Sequence, residues 1–369
     1  MKESLMNRRH FLATAAVGGA AALTGCKQDT APSSTPSTTG EVIKWKMVTT
    51  WPKNFPGLGT GAENLARLIN EMSGGRIEVK VYAAGELVPA LEVFDTVARG
   101  TAQIGHGGAY YWKAKHEATQ FFTSVPFGLT AQEMNAWLFY GDGLALWQEV
   151  YAPFGLVPMP CGNTGVQMAG WFNKEINSLA DLKGLKMRIP GLGGEVLRRA
   201  GGTPVNLPGG ELFTALQSGT IDATEWVGPY NDLAFGLYKA AKYYYAPGWH
   251  EPGSTMEAII NKQALEALPK DLQSIVLNAC KVVNADMLAE FMARNNQALE
   301  TLKREHGVQV RNLPEDVIAE LKKLSAEVLA EVAQHDPLTK KVYDSFIAFR
   351  DRVKPWTDAS EVAFLKARG

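Results

Sequence analysis

The sequence is poor in the residues from which metalloenzymes and disulfide-framed proteins are built. It has only three cysteines and six histidines in 369 residues. No HExxH motif and no Cys/His cluster with zinc spacing occurs. There is no GxSxG elbow and no phosphate-cradling Walker loop. Three cysteines exclude a disulfide framework. Cys161 and Cys280 lie in apolar surroundings and read as two buried thiols, with a disulfide as the alternative in an oxidising compartment. The formal net charge is −1 and no basic tract is present, which removes nucleic acid as a partner. After residue 25 no apolar run is long enough to span a bilayer.

What is present begins with an export signal. Arg8-Arg9-His10-Phe11-Leu12 is a twin-arginine motif, with Met6 as an alternative start. The Ala/Gly-rich run from Phe11 to Gly25 is too short and small-sided for a stable span. Leu23-Thr24-Gly25-Cys26 fits a lipoprotein cleavage box. Residues 1–25 are therefore read as a signal, and Cys26 as the lipidated first residue of a periplasmic protein. Ordinary cleavage beside an incidental cysteine is the other reading. Residues 26–40 are rich in Ser, Thr and Pro and read as a flexible tether. Loss of residues 1–25 removes Lys2, Arg8 and Arg9 against Glu3, taking the charge from −1 to −3.

The remainder is long enough for two domains with real cores. Strand 43–48, helix 62–73, strand 77–82, helix 91–100 and strand 103–107 follow one another, a βαβ pattern that implies a mostly parallel sheet. Residues 157–171 read as one long strand crossing between domains, and 243–252 as the return. This places a first α/β domain at 41–165 plus about 252–285. The second takes 166–251 plus part of 286–335. Helical periodicity runs through 272–306 and from Pro314 to Val332, where Asp336-Pro337 breaks it. A last amphipathic helix spans 340–353, and Pro355-Trp356 follows.

The chemistry gathers where strands end. Leu185, Lys186, Met187, Arg188 and Ile189 alternate as a half-buried strand, stopped by Pro190 and the glycine turn at Gly191. Arg188 thus sits near a strand's carboxyl end, where open α/β sheets collect ligands. Its guanidinium offers two parallel donors to a carboxylate or phosphate; a structural ion pair is the plainer reading. Tyr111 follows the third strand and suits a cleft wall with a hydrogen-bonding edge, or core packing. Gln167 offers an amide oxygen to a metal or an amide nitrogen to a ligand, or is an ordinary strand glutamine. Glu225 and the Trp226 carbonyl, at the end of another strand, offer oxygens to a hard cation, and Glu251 offers one more. His250 reads as a packed histidine rather than a ligand. Together these form a binding set, with no obvious nucleophile and base.

At these residues the chain resembles the extracytoplasmic solute receptors of TRAP transporters, the DctP-like family, and most closely their 2-oxoacid-binding branch. The stretches that carry the resemblance are Leu185–Pro190, Gly219–Pro229 and Tyr243–Gly248. It implies an α/β fold of the two-domain periplasmic solute-binding type, with crossing strands, a bracing long helix and a C-terminal helical extension at 336–369 that pairs a homodimer, whereas the helix by itself equally allows a monomer with this segment folded home. It implies that Arg188 binds a carboxylate and Tyr111 contacts the ligand. It also implies that Gln167, Glu225 and Trp226 hold a metal between protein and ligand, and that the partner is a membrane permease. Glu251 stands where a sodium-containing relative is expected to carry glutamine. The additional carboxylate favours calcium or another divalent ion over sodium. Three functions remain open from sequence. The first is a transport receptor, and not an enzyme, for a small 2-oxo or 2-hydroxy monocarboxylate such as pyruvate, a longer oxoacid or lactate. The second is an extracytoplasmic lyase or hydrolase on the same scaffold, and the third a sensor subunit that presents the ligand to a membrane kinase.

Overall fold

The computed structural model describes residues 41–369; the twin-arginine signal, Cys26 and the 26–40 tether lie outside them. Eleven strands are found among the described residues. They are β1 (Ile43–Thr49), β2 (Ile77–Tyr82), β3 (Ile104–Gly107), β4 (Leu156–Asn163), β5 (Gly170–Phe172) and β6 (Lys186–Arg188). Then come β7 (Thr203–Val205), β8 (Ala223–Thr224), β9 (Tyr243–Ala246), β10 (Thr255–Asn261) and β11 (Gln309–Asn312). They build two sheets, ordered β2-β1-β3-β10-β4 and β11-β9-β5-β8-β6-β7.

The βαβ repeats give the parallel pairs of the first sheet, β1 with β2 and with β3. β10 enters antiparallel between β3 and β4, so this sheet is mixed rather than mostly parallel. The chain passes between sheets at residues 164–169 and returns at 247–254. These two passages lie side by side. Thr164 N–H donates to the Ser254 carbonyl (3.0 Å), Gln167 N–H to the Glu251 carbonyl (3.1 Å), and Gly248 N–H to the Gln167 carbonyl (2.9 Å). The expected single strand over 157–171 is therefore two strands with a break, and Gln167 sits in the break. The crossing is tight enough to require a glycine: a Cβ on Gly248 would lie 2.2 Å from the Gln167 carbonyl oxygen.

A 35-residue helix, Lys270–Arg304, is about 50 Å long at 1.5 Å per residue. It packs on β4, on helix Leu58–Met72 and on helix Pro229–Phe235, and so braces both sheets. Its buried side chains, Leu272, Val276, Cys280, Val283, Met287 and Phe291 among them, keep the helical spacing visible in the sequence. Cys161 and Cys280 are buried and unbridged. None of the described helices is long and apolar enough to cross a membrane.

The terminal helix starts at Pro337 behind Asp336, whose carboxylate accepts from Leu338 N–H (2.8 Å) and Thr339 N–H (2.9 Å), a side-chain cap. Its first half belongs to the core. Phe346 packs edge-on against Trp137 and Phe121, at ring distances of 5.1 and 6.1 Å. The helix does not stop before Pro355 as the sequence implied. Pro355 lies inside Pro337–Thr357, and the helical path continues to Arg368. Beyond Phe349 it carries Trp356 and Phe364 with 71% and 63% of their surface exposed. Out in solvent, the carbonyl that Pro355 leaves without its helical donor can be hydrated, which is why proline is tolerated there.

One buried acid locks the first sheet at the carboxyl end of β3. Glu257 on β10 accepts from Trp112 Nε1 (2.5 Å) and Tyr151 hydroxyl (2.8 Å). This fixes the 109–112 turn that carries Tyr111. Burial pushes the Glu257 carboxyl up to about 8, against those two donors. A folded-state pKa above the ordinary 4.5 means that the native protein holds a proton the unfolded chain has released. The Glu257 contribution to stability is thus full below about 4.5 and is lost as pH rises through about 8. Comparing thermal melts of the parent and Glu257→Gln between pH 5 and 9 should show a steeper fall for the parent, by several degrees. Parallel curves would show that Glu257 ionises normally.

Candidate functional site

The register of the second sheet assembles the charged centre. β6 and β8 run parallel with Arg188 opposite Thr224, and Glu225 N–H donates to the Arg188 carbonyl (3.1 Å). The two side chains emerge together and both are wholly buried. Arg188 Nη1 donates to Glu225 Oε1, Nε to the Leu207 carbonyl (3.1 Å), and Nη2 to the Tyr111 hydroxyl (3.4 Å). The guanidinium also lies 5.2 Å from the Trp226 ring centre. The turn after Arg188 needs Gly191: its φ is +61°, and a Cβ there would meet the Tyr110 ring at 2.9 Å.

The passage from β9 to β10 brings two more groups. His250 Nε2 lies 3.4 Å from Glu225 Oε2, and Glu251 Oε2 accepts from the Ser254 hydroxyl. Glu225, His250 and Glu251 each bring one ligand atom within 4.8 Å of one another. From the neighbouring passage, Gln167 spends its amide nitrogen on the Thr164 hydroxyl (3.1 Å). Its oxygen therefore remains as a free acceptor. Gln167 Oε1 and Glu251 Oε1 are buried with no protein partner, as are His250 Nδ1 and the indole Nε1 of Trp226.

Burial raises the Glu225 carboxyl to about 7 despite the pull of Arg188. Burial, and then the charge of Glu225, raise Glu251 to about 7 as well. Two buried carboxyls with one guanidinium between them cannot both carry full charge cheaply. His250 is held neutral, down to about 4, chiefly by burial. Burial lifts the Tyr111 phenol above its ordinary value, so it remains a hydrogen-bond donor.

These residues fit a hard cation. The Glu251 carboxylate, with one unpartnered buried oxygen, stands close to Glu225, and Gln167, joined to Glu251 through the backbone, has a buried amide oxygen without a partner; oxygen donors are what sodium and calcium take. Gln167, Glu225 and Glu251 are the side chains that would hold it. The bound ion would supply a positive charge to which an anionic ligand's oxygens are drawn.

All the side chains singled out in the sequence are found around this centre: Tyr111, Gln167, Arg188, Glu225, Trp226 and Glu251. His250 was read as a packed histidine and is one, buried but pressed against Glu225. The sequence reading missed Trp51, which stands just past the carboxyl end of β1 against Tyr111 and Trp226, at ring distances of 6.4 and 6.2 Å. It carries the same strand-end signal as Arg188 but lies in the Gly/Pro-rich stretch 49–61, where no alternating pattern marks it.

A carboxyl near pKa 7 is also what a general base requires, so the geometry alone leaves a lyase open. Comparison with known proteins decides the matter. Residues 47–336 match the bacterial extracellular solute-binding protein family 7, DctP. The chain is 44% identical over 360 residues to the monocarboxylate 2-oxoacid-binding periplasmic protein of Nostoc sp., covering 97% of this chain and 98% of that one. It is similar to a TRAP periplasmic solute binding protein from Pseudoalteromonas atlantica solved with bound sodium and pyruvate: 43% identity, TM-score 0.86, 88% of this chain and 99% of that one. A second such structure, from Colwellia psychrerythraea with bound calcium and pyruvate, gives 44% identity and TM-score 0.86 over 89% of this chain and 100% of that one. A family match over residues 47–336 and a relative 44% identical over 97% of the chain lead to one conclusion: this chain belongs to the DctP family of TRAP transporter solute-binding proteins.

Proposed function

We propose that the chain is the periplasmic receptor for a small 2-oxo or 2-hydroxy monocarboxylate, pyruvate being the reference ligand, and that it delivers this acid to a TRAP permease. Two lobes, 41–165 with about 252–285 and 166–251 with part of 286–335, close on the ligand. Arg188 and Tyr111 bind its carboxylate. Gln167, Glu225, the Trp226 carbonyl and Glu251 would hold a cation, which would supply positive charge to the ligand's oxygens. The observation that carries the reading is a buried Arg188–Glu225 pair with a second buried carboxyl, Glu251, close to Glu225, and two buried oxygens, on Gln167 and Glu251, without a protein partner. Relatives that bind pyruvate with sodium or calcium support it.

Charge selects the ion. With the anion bound, three negative groups face one guanidinium. A divalent cation brings the set to neutrality and a monovalent one leaves an excess of one negative charge, which a buried site tolerates poorly. The reading is therefore calcium or another hard divalent ion.

An oligomer is part of the proposal. The helix end beyond Phe349 shows Trp356, Phe364 and Leu365 to solvent, an apolar face that a second copy of the chain would cover. The twin-arginine route and an anchor at Cys26 complete the picture of a receptor held near its permease.

Three measurements test these points. Arg188→Lys keeps the charge but loses the planar fork; titration calorimetry with pyruvate should show about tenfold weaker binding or worse. Unchanged affinity would remove Arg188 from the site. Exhaustive chelation should cut pyruvate affinity severely, with calcium restoring it and sodium doing so poorly, and Glu251→Gln should shift the preference toward sodium. Elemental analysis that finds no stoichiometric divalent metal in ligand-loaded protein, with affinity unmoved by chelation, would refute the divalent site. Sedimentation at micromolar concentration should find a dimer that becomes a monomer, still binding, on the double change Trp356→Glu and Phe364→Glu. A monomeric parent would end the dimer proposal.

A further inference from the structure

Trp51 is not accounted for by charge or by the metal, yet its backbone and its indole are both held by hydrogen bonds. Its backbone N–H donates to the Thr49 hydroxyl (3.3 Å), and its carbonyl accepts from Ala84 N–H (2.9 Å). Its indole N–H donates to His106 Nδ1 at 2.7 Å. His106 lies in β3, and its Nε2 is 3.0 Å from the carbonyl of Cys161 in β4. Between those strands runs β10, whose residue in the same row is Ala258; the small side chain leaves room for the imidazole.

The partners fix the tautomer. A carbonyl can only accept, so Nε2 carries the proton. An indole N–H can only donate, so Nδ1 is the bare acceptor. A second proton on Nδ1 would face the indole hydrogen. Burial, which lowers the His106 pKa to about 4, keeps that proton away. His106 is therefore a neutral strut, with both ring nitrogens used and neither exposed.

The ring that this strut holds forms one side of an aromatic box. Trp51 meets Trp226 edge-on and Tyr111 at a tilt, and those two rings flank Arg188. The box has no slack behind it. Trp226 is backed by Phe55 and Phe235, which stack on each other at 4.1 Å. Tyr111 bonds Arg188 and neighbours Trp51, and Trp226 lies against both, so a ligand with its carboxylate at Arg188 and Tyr111 would lie beside these rings. Packed interiors resist even one extra methylene.

We propose that Trp51 is the wall that limits the length of the ligand's side chain, and that His106 is the positioning residue that holds that wall. The proposal rests on the 2-oxoacid reading above and adds what sets its size limit.

The test is a ratio of affinities, measured by calorimetry on the metal-loaded protein with pyruvate and with straight-chain 2-oxohexanoate. Trp51→Leu, and Trp51→Phe as a gentler change should the first not fold, are expected to shift that ratio about tenfold or more toward the longer acid. His106→Leu should shift it in the same direction. His106→Gln should restore the parental ratio, because its amide oxygen can accept from the indole while its amide nitrogen donates to the Cys161 carbonyl. A ratio within about twofold of the parent in Trp51→Phe overturns the wall. A His106→Leu protein that loses affinity for both acids equally overturns the positioning role. A parent that binds neither acid overturns the receptor reading itself, and is thereby distinguished from failure of the wall alone.

Discussion

Arg188 and Glu225 are both removed from water, and each is the principal reason the other can be there. Desolvating either charge alone costs several kcal/mol, and breaking such a pair costs about 3–5 kcal/mol. Their mutual attraction offsets that cost only with good geometry and with the remaining donors satisfied. The second sheet provides both. Parallel pairing of β6 and β8 sets the two residues side by side, while the Leu207 carbonyl and Tyr111 hydroxyl take the other guanidinium nitrogens. In the function proposed above, the same pair supplies one charge for a carboxylate and one for a cation.

The rest of the polar set is delivered by the connections between sheets. Two passages running past each other, joined by backbone hydrogen bonds at Thr164–Ser254, Gln167–Glu251 and Gly248–Gln167, carry Gln167, His250 and Glu251 to one place. Passages of this kind are where a two-lobed protein bends when it opens. In the two-lobed receptor proposed above, ligand oxygens held there would be bound by both lobes at once, so that binding and closure favour each other.

A repeated device steadies the walls. In the first sheet Glu257 is clasped by an indole and a phenol, those of Trp112 and Tyr151. In the second, Asp232 accepts from Trp171 Nε1 (2.9 Å) and the Tyr244 hydroxyl (2.6 Å), and also from Val227 N–H (3.3 Å). Each buried carboxyl anchors a segment bearing a ring of the pocket, Tyr111 in one case and Trp226 in the other. Burial lifts Asp232 to about 7, as it lifts Glu257, while the donors of each clasp pull the other way because they bond best to the ionised carboxylate. With His106 holding Trp51, all three rings of the box are fixed by buried polar groups, which rigidify once fully satisfied.

The sequence by itself determined what is local. Alternation and a glycine turn placed Arg188 at a strand end, the 3.6-residue period revealed the bracing helix, and Glu225-Trp226 stood visibly at the close of another strand. Its strand-end residues and family resemblance supplied the site list, Tyr111, Gln167, Arg188, Glu225, Trp226 and Glu251. Only the tertiary structure decided how these meet. It broke the expected 157–171 strand at Gln167, slipped β10 antiparallel into the first sheet, kept the terminal helix going through Pro355, and tied half of that helix into the core. It also joined Trp51 to His106 across 55 residues and Arg188 to Glu225 across 37. The reason is physical. Periodicity and turn chemistry are set by neighbours along the chain, whereas pairing between buried polar groups depends on strand order and register, and no local pattern encodes which distant donor will satisfy which buried acceptor.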